Sequence, residues 1–201
     1  MSKSRAEHSA VQAVLDFWFM PAGHTQYGQP RREWFYKDPA FDAAVRAQFE
    51  PLCVRALAGG LLDWERTPLG RLARVIVLDQ FPRNLYRGDA RAFSGDPLAL
   101  AAAQRALHTD EDRGLLPVQR QFLYMPYQHS ENIAMQEISV ALFLALLDRY
   151  PTQDMASAYD YALRHEAIVR RFGRFPHRNE ILGRESTAEE VEFLRQPGSH
   201  F

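Results

Sequence analysis

Two well-separated stretches hold the chain's densest sets of side chains able to grip or move charge: Asp79-Gln80-Phe81-Pro82-Arg83-Asn84 and Gly173-Arg174-Phe175-Pro176-His177-Arg178-Asn179. Each follows an apolar, helix-like run, interrupts it with Phe-Pro, and at once sets out Arg and Asn. Proline lacks a backbone donor and clashes with the turn before it, so both corners are expected to stop a helix. Guanidinium forks and amides projecting together from such a stop suit a carboxylate or a phosphate. The candidate ligand-binding set is therefore Asp79, Gln80, Arg83, Asn84, Arg174, His177, Arg178 and Asn179. The competing use is structural, because Arg and Asn also cap loose carbonyls where helices end.

Proton chemistry has its own candidates. Pro126-Tyr127-Gln128-His129-Ser130-Glu131-Asn132 crowds hydrogen-bonding groups at a helix start, where free N–H groups and the dipole favour anions. His129 and Glu131 can serve as an acid–base pair, or Ser130 and Glu131 can simply cap the helix. Ala158, Ala162, His165, Val169 and Phe172 recur at helical spacing, which puts His165 on an apolar face. There it is either a satisfied core residue or a base looking inward toward His129 or His177. In the catalytic reading the protein is a hydrolase or other acid–base enzyme, with His129 or His165 as base, Glu131 orienting it and arginines stabilising negative charge. Sharper motifs fail. His165-Glu166 opens like a zincin helix, but Val169 stands where the second ligand belongs. There is no Cys-x-x-Cys, phosphate-binding glycine loop or Gly-x-Ser-x-Gly elbow. Three histidines and Glu131 are scattered too widely to specify a metal, and no cofactor is expected.

The elements that position these groups read as helix after helix. Val11, Val14, Leu15 and Trp18 share a helical stripe that ends at Pro21. Asp38-Pro39, Thr67-Pro68 and Asp96-Pro97 each read as a cap followed by proline at the first helical position. From the first start, Phe41, Val45, Phe49 and Leu52 repeat on one face, with Pro51 as a kink or break. The third opens an alanine-rich helix. Pro117 starts a short helix expected to end before Pro126, and a longer one runs from about Glu131 to Arg149. Its run Val140–Leu147 is apolar all round, as in a helix buried on most sides. Thr152 or Asp154 caps the next helix, Gly173 ends it, and Thr187 with Glu190 forms a capping box. No stretch sustains period-two alternation. The expected fold is all-α: antiparallel helices in one domain over residues 1–201, with its core from about 11 to 195 and a buried central helix.

Composition excludes several classes. The chain of 201 residues carries a net charge of −1, which gives no global field toward nucleic acid or anionic membrane. The six arginines from Arg164 to Arg184 could grip a single strand, but Glu185, Glu189, Glu190 and Glu192 follow at once, so nucleic acid is not the expected partner. No apolar run is long enough to span a bilayer, and no signal-peptide core follows the N-terminus. Cys53 is alone, without a disulfide partner. A cytoplasmic, soluble protein is expected. All basic residues but Lys3 and Lys37 are arginine, through GC-rich codon usage or through demand for the planar fork. Trp34, Phe35 and Tyr36 offer a possible homodimer surface, or an ordinary piece of core.

Leu15-Asp16-Phe17-Trp18-Phe19, Leu78 to Asn84, His129-Ser130-Glu131 and RFGRFPHRNEILGR from Arg171 to Arg184 together resemble the bacterial domain-of-unknown-function family numbered 924, from about Val11 to Leu194. The resemblance implies an all-helical, tetratricopeptide-like fold and carries no activity to transfer. By analogy with tetratricopeptide-like arrays, the expected partner is a small anionic ligand, a peptide end or another protein, although the usual short-repeat consensus is missing.

Overall fold

The computed structural model describes residues 2–199, with side chains from Glu7 onward. The described residues are helical, with no strand among them: α1 (Ser2–Phe19), α2 (Pro39–Leu57), α3 (Pro68–Val75), α4 (Phe81–Leu85), α5 (Asp96–His108), α6 (Pro117–Gln128), α7 (Ile133–Arg149), α8 (Gln153–Phe172) and α9 (Ala188–Leu194), with short 3-10 turns between them. None of these helices is long and apolar enough to cross a membrane. Contacts group the chain into two compact units. One runs up to Arg87 and includes Arg91–Pro126; the other joins Gly88–Ala90 to the chain from Tyr127 on.

The first unit is built on aromatic rings. Asp38 caps α2 by accepting the N–H groups of Ala40 and Phe41 at 2.9 and 3.0 Å, with Pro39 in the first turn. That start fixes the rotation which buries Phe41, Val45, Phe49, Cys53 and Ala56 along one stripe; Pro51 is accommodated inside the helix rather than ending it. Phe17 stacks on Phe41 at 5.1 Å, Phe49 on Phe81 at 4.9 Å, and Trp18 meets Phe122 edge-on at 5.4 Å. Each fully buried phenylalanine among them contributes roughly 1.5–3 kcal/mol by burial. The carbonyls left open at the end of α1 are satisfied from a distance: Arg31 donates to Phe17 O at 2.6 Å and Trp34 Nε1 to Trp18 O at 3.2 Å.

The first Phe-Pro corner does not break its helix. The chain passes from α3 through a π-helical turn, Ile76–Gln80, directly into α4, and Pro82 sits in the first turn of α4. Proline is tolerated there because the wider turn has already shifted the hydrogen-bond register. Helix α5 packs on α3 with Ala99, Ala102, Ala103 and Ala106 buried. Gly95 permits the approach, since a Cβ there would lie 2.0 Å from Leu78 O. The cap of α5 is Gly95 rather than Asp96, whose carboxylate turns toward Arg83 instead.

In the second unit α7 packs along α8 after a connection through Tyr150–Thr152. Thr152 caps α8 by accepting Met155 N–H at 3.3 Å, and Ala158, Ala162, His165 and Val169 are buried along it. Gly173 ends α8 in the left-handed region at φ 68°. The helix therefore stops before the second Phe-Pro, which opens a 3-10 turn over Pro176–Arg178. Thr187 and Glu190 form the expected capping box at α9. Helix α7 differs from expectation. Its buried residues, Gln136, Ser139, Phe143 and Leu146, make a single stripe, while Ile138 and Leu144 are 38% and 40% exposed. Apolar composition does not by itself require burial on every side. Helix α6 also continues past Pro126 to Gln128.

Candidate functional site

At the first corner the π-helical turn holds Asp79 and Gln80 inside the first unit, 0% and 5% exposed. Gln80 Nε2 donates to Asp79 Oδ2 at 2.5 Å. Arg83 reaches the Asp79 backbone carbonyl and places NH1 and NH2 on the two oxygens of Asp96, at 2.9 and 3.2 Å. Burial disfavours the Arg83 charge, but Asp79 and Asp96 outweigh it and hold the guanidinium more firmly protonated than usual. The fork ties α4 to the start of α5. Asn84 belongs to a different grouping. Its amide donates to Asp42 Oδ1 at 2.8 Å, on a carboxylate that also takes two edge nitrogens of Arg87 at 3.0–3.2 Å.

The second corner belongs to the second unit and has a distinct construction. Arg174 clamps Glu190 with Nε and NH2 at 2.6 and 2.7 Å and also donates to Glu185 O. The hydrogen bond from Arg174 holds the Glu190 carboxyl down at about 2, despite burial that works the other way. Arg184 clamps Glu131 at 2.6 and 2.9 Å, donates to Phe175 O at 3.1 Å, and meets Asn179 Oδ1 at 3.0 Å. Phe175 N–H completes the Glu131 shell at 2.8 Å. Burial alone would raise the Glu131 carboxyl; hydrogen bonds from Arg184 and Phe175 N–H, with the charges of Arg184 and Arg178, lower it instead.

Inside this frame two imidazoles and a guanidinium converge on the ring of Phe175, and a third imidazole lies beside one of them. Arg178 Cζ lies 4.6 Å from its centroid, His165 meets it edge-on at 5.4 Å, and His177 lies at 5.6 Å. His129 is 6.3 Å from His165, ring to ring. Arg178, His129, His165 and Asn179 are all buried. The Nδ1 of His165 is within hydrogen-bond reach of Tyr161 O at 2.7 Å and of the Gln128 amide at 3.1 Å. Burial pushes His165 down to about 3, and the neighbouring charges of His129, Arg178 and His177 reinforce it against the Tyr161 carbonyl. His165 is therefore neutral at neutral pH.

Two sequence expectations change on this geometry. Glu131 does not orient a histidine, because Arg184 and Phe175 N–H occupy its two oxygens; nor does it cap α7, whose cap is Asn132, accepting Ala134 N–H at 2.9 Å. Among the described residues no group of His, Cys, Asp or Glu assembles that could hold a metal ion. Sequence reasoning passed over Arg184 and Gln136. Arg184 was one arginine in a run. Gln136 is fully buried and donates to Gln128 O and Ser130 O at 2.7 and 2.6 Å, closing the end of α6. An amide on the same helical stripe as Phe143 and Leu146 was the available signal. In the arginine run, Arg164 pairs with Asp160, Arg170 with Glu137 and Glu166, and Arg171 with Glu189, so acidic neighbours do meet the strip in space.

The residues that frame this corner are those of a bacterial family model, "Bacterial protein of unknown function (DUF924)", which matches residues 14–198. The chain belongs to the DUF924 family. A solved structure of similar fold is that of a protein of unknown function, ATU0120, from Agrobacterium tumefaciens. It shares 35% identity with this chain, the match covers 94% of this chain and 98% of that one, and the TM-score is 0.81. No curated protein matches.

Proposed function

We propose that this DUF924 protein is a binding protein whose second unit takes a small anionic ligand, or the end of a peptide or protein partner, at the Phe175–Asn179 corner. The observation that carries the reading is the convergence of Arg178, His177 and His165 on one aromatic ring, with His129 next to His165. A guanidinium stacked on a ring keeps its donors directed outward from a fixed plane. Imidazoles beside it adapt their donors to the ligand. Arg174, Asn179 and Arg184 tie the corner to Glu190, Ser186 and Glu131 and act as its frame. Asp79, Gln80 and Arg83 serve the first unit in the same way. The tetratricopeptide-like arrangement is part of the proposal and draws support from the packed α7 and α8.

Binding is favoured over acid–base catalysis by two features. A histidine held near 3 is a weak base at neutral pH. Glu131 is occupied by Arg184 rather than by an imidazole. Thermal-shift measurements against inorganic phosphate, citrate and short peptides with free carboxylates test the reading. A ligand at one hundred times its dissociation constant adds about 2.7 kcal/mol of stability. That gain is expected to vanish in Arg178→Ala and to shrink in His129→Ala. Equal stabilisation of wild type and both variants would refute the site.

A further inference from the structure

A depression of about 560 Å³ on the first unit lies between α2 and the end of α4. Helix α2 presents Asp42, Ala43, Arg46 and Ala47 to it at spacings of three and four, and the chain beyond Pro82 adds Asn84, Leu85 and Arg87. Ala43, Ala47 and Leu85 make an apolar floor. Lys37, Arg46 and Arg87 stand around it against one lining carboxylate, Asp42.

How those cations are already engaged selects what they can still bind. The Nε/NH2 edge of Arg87 is spent on Asp42. The NH1 and NH2 of Arg46 are spent on Glu50 and on Leu85 O. Lys37 is exposed and makes no ion pair among the described residues. The donors left over include Arg87 NH1, Arg46 Nε and Lys37 Nζ. Three lining cations against one lining carboxylate suit a ligand with more than one negative charge, and a phosphomonoester carries about −1.5 to −2 where a carboxylate carries one. A tetrahedral phosphoryl group accepts single donors from several directions through its three oxygens. The volume lies within the range of small-molecule sites and far exceeds inorganic phosphate. We propose that this depression binds an organic phosphomonoester, with its phosphoryl oxygens on Lys37, Arg46 and Arg87 and its apolar body on Ala43, Ala47 and Leu85.

Calorimetric titration of the full chain at low salt with phenyl phosphate, inorganic phosphate and benzoate tests this. Phenyl phosphate is expected to bind at least about tenfold more tightly than either of the others. Lys37→Ala and Arg87→Gln are each expected to weaken it about tenfold, the usual loss for one charge-assisted contact. Lys37→Ala carries the test if Arg87→Gln disturbs Asp42, because Lys37 supports no described element. The titrations are run in an Arg178→Ala background, which removes anion binding at the Phe175 corner; phenyl phosphate binding that depends on Lys37 should persist there, and its loss would assign the binding to that corner. Benzoate binding as well as phenyl phosphate, phosphate binding as well as its ester, wild-type affinity in Lys37→Ala, or no heat with phenyl phosphate at millimolar concentration would each overturn the proposal.

Discussion

Burial of His165 makes the stability of the fold depend on pH. Burial is the largest cause, and it holds the folded-state imidazole at about 3 against an ordinary value of 6.5. The unfolded chain therefore binds a proton that the folded chain refuses anywhere between those values. Stability from this group is complete above about 6.5 and is lost as pH falls toward about 3. Between pH 6 and pH 5 the unfolded state gains about 1.2 kcal/mol from protonating His165, while the folded state gains nothing. The perturbation is His165→Gln, which keeps an amide within reach of the Tyr161 carbonyl but cannot titrate. Urea unfolding of both proteins at pH 7.5, 6 and 5 is the assay. The variant is expected to be less stable at pH 7.5, with a gap that narrows by about 1.2 kcal/mol from pH 6 to pH 5. Histidine proton resonances give a direct check: the His165 signal should not move down to pH 4.5. Parallel stability curves, or a His165 titration near 6.5, would refute the burial argument.

Three further outcomes follow from particular contacts. Glu190→Gln is expected to lower the melting temperature at pH 7, with the difference closing as pH falls from about 4.5 toward 2, because the carboxylate that Arg174 holds down then protonates in the wild type as well; a constant difference across that window would contradict it. Gly95→Ala should cost about 1–3 kcal/mol in urea unfolding, since its Cβ would lie 2.0 Å from Leu78 O and the start of α5 must move. Arg184→Lys should fall close to Arg184→Ala in stability, about 1–3 kcal/mol below wild type, because the ammonium cannot reproduce the hydrogen bonds to Glu131, Asn179 and Phe175 O together. Stability within about half a kcal/mol of wild type would show that charge alone suffices there.

What was legible in the sequence was local. Asp38-Pro39, Thr67, Thr152, Gly173 and the Thr187–Glu190 box each act within one turn of the residue that names them, and each ends or starts a helix where its chemistry says. The buried faces of α2 and α8 were legible for the same reason, because spacing within a helix fixes which residues share a face. The ties that build the candidate site were not. Arg184 and Glu131 are 53 residues apart, and no spacing rule pairs them. Which face of α7 is buried could not be read either, because Val140–Leu147 is apolar on every side and periodicity then gives no direction.

The two Phe-Pro corners show why similar words need not build similar structures. Each contains Phe-Pro followed closely by Arg and Asn, yet one continues a helix through a wide turn and the other follows a helix already ended. The difference lies upstream. Gly173 offers the left-handed conformation that α8 needs to stop, whereas Leu78-Asp79-Gln80 offers no such residue, and the register widens instead. This sets what each corner's arginine can do. Arg83 lies within α4, so it reaches back to Asp79 and across to the first turn of α5. Arg178 closes a 3-10 turn against Phe175, with its guanidinium over the ring that His165 and His177 also meet. One corner binds its unit's own helices together; the other gathers cationic and titratable groups on an aromatic face, which is why the ligand is placed there.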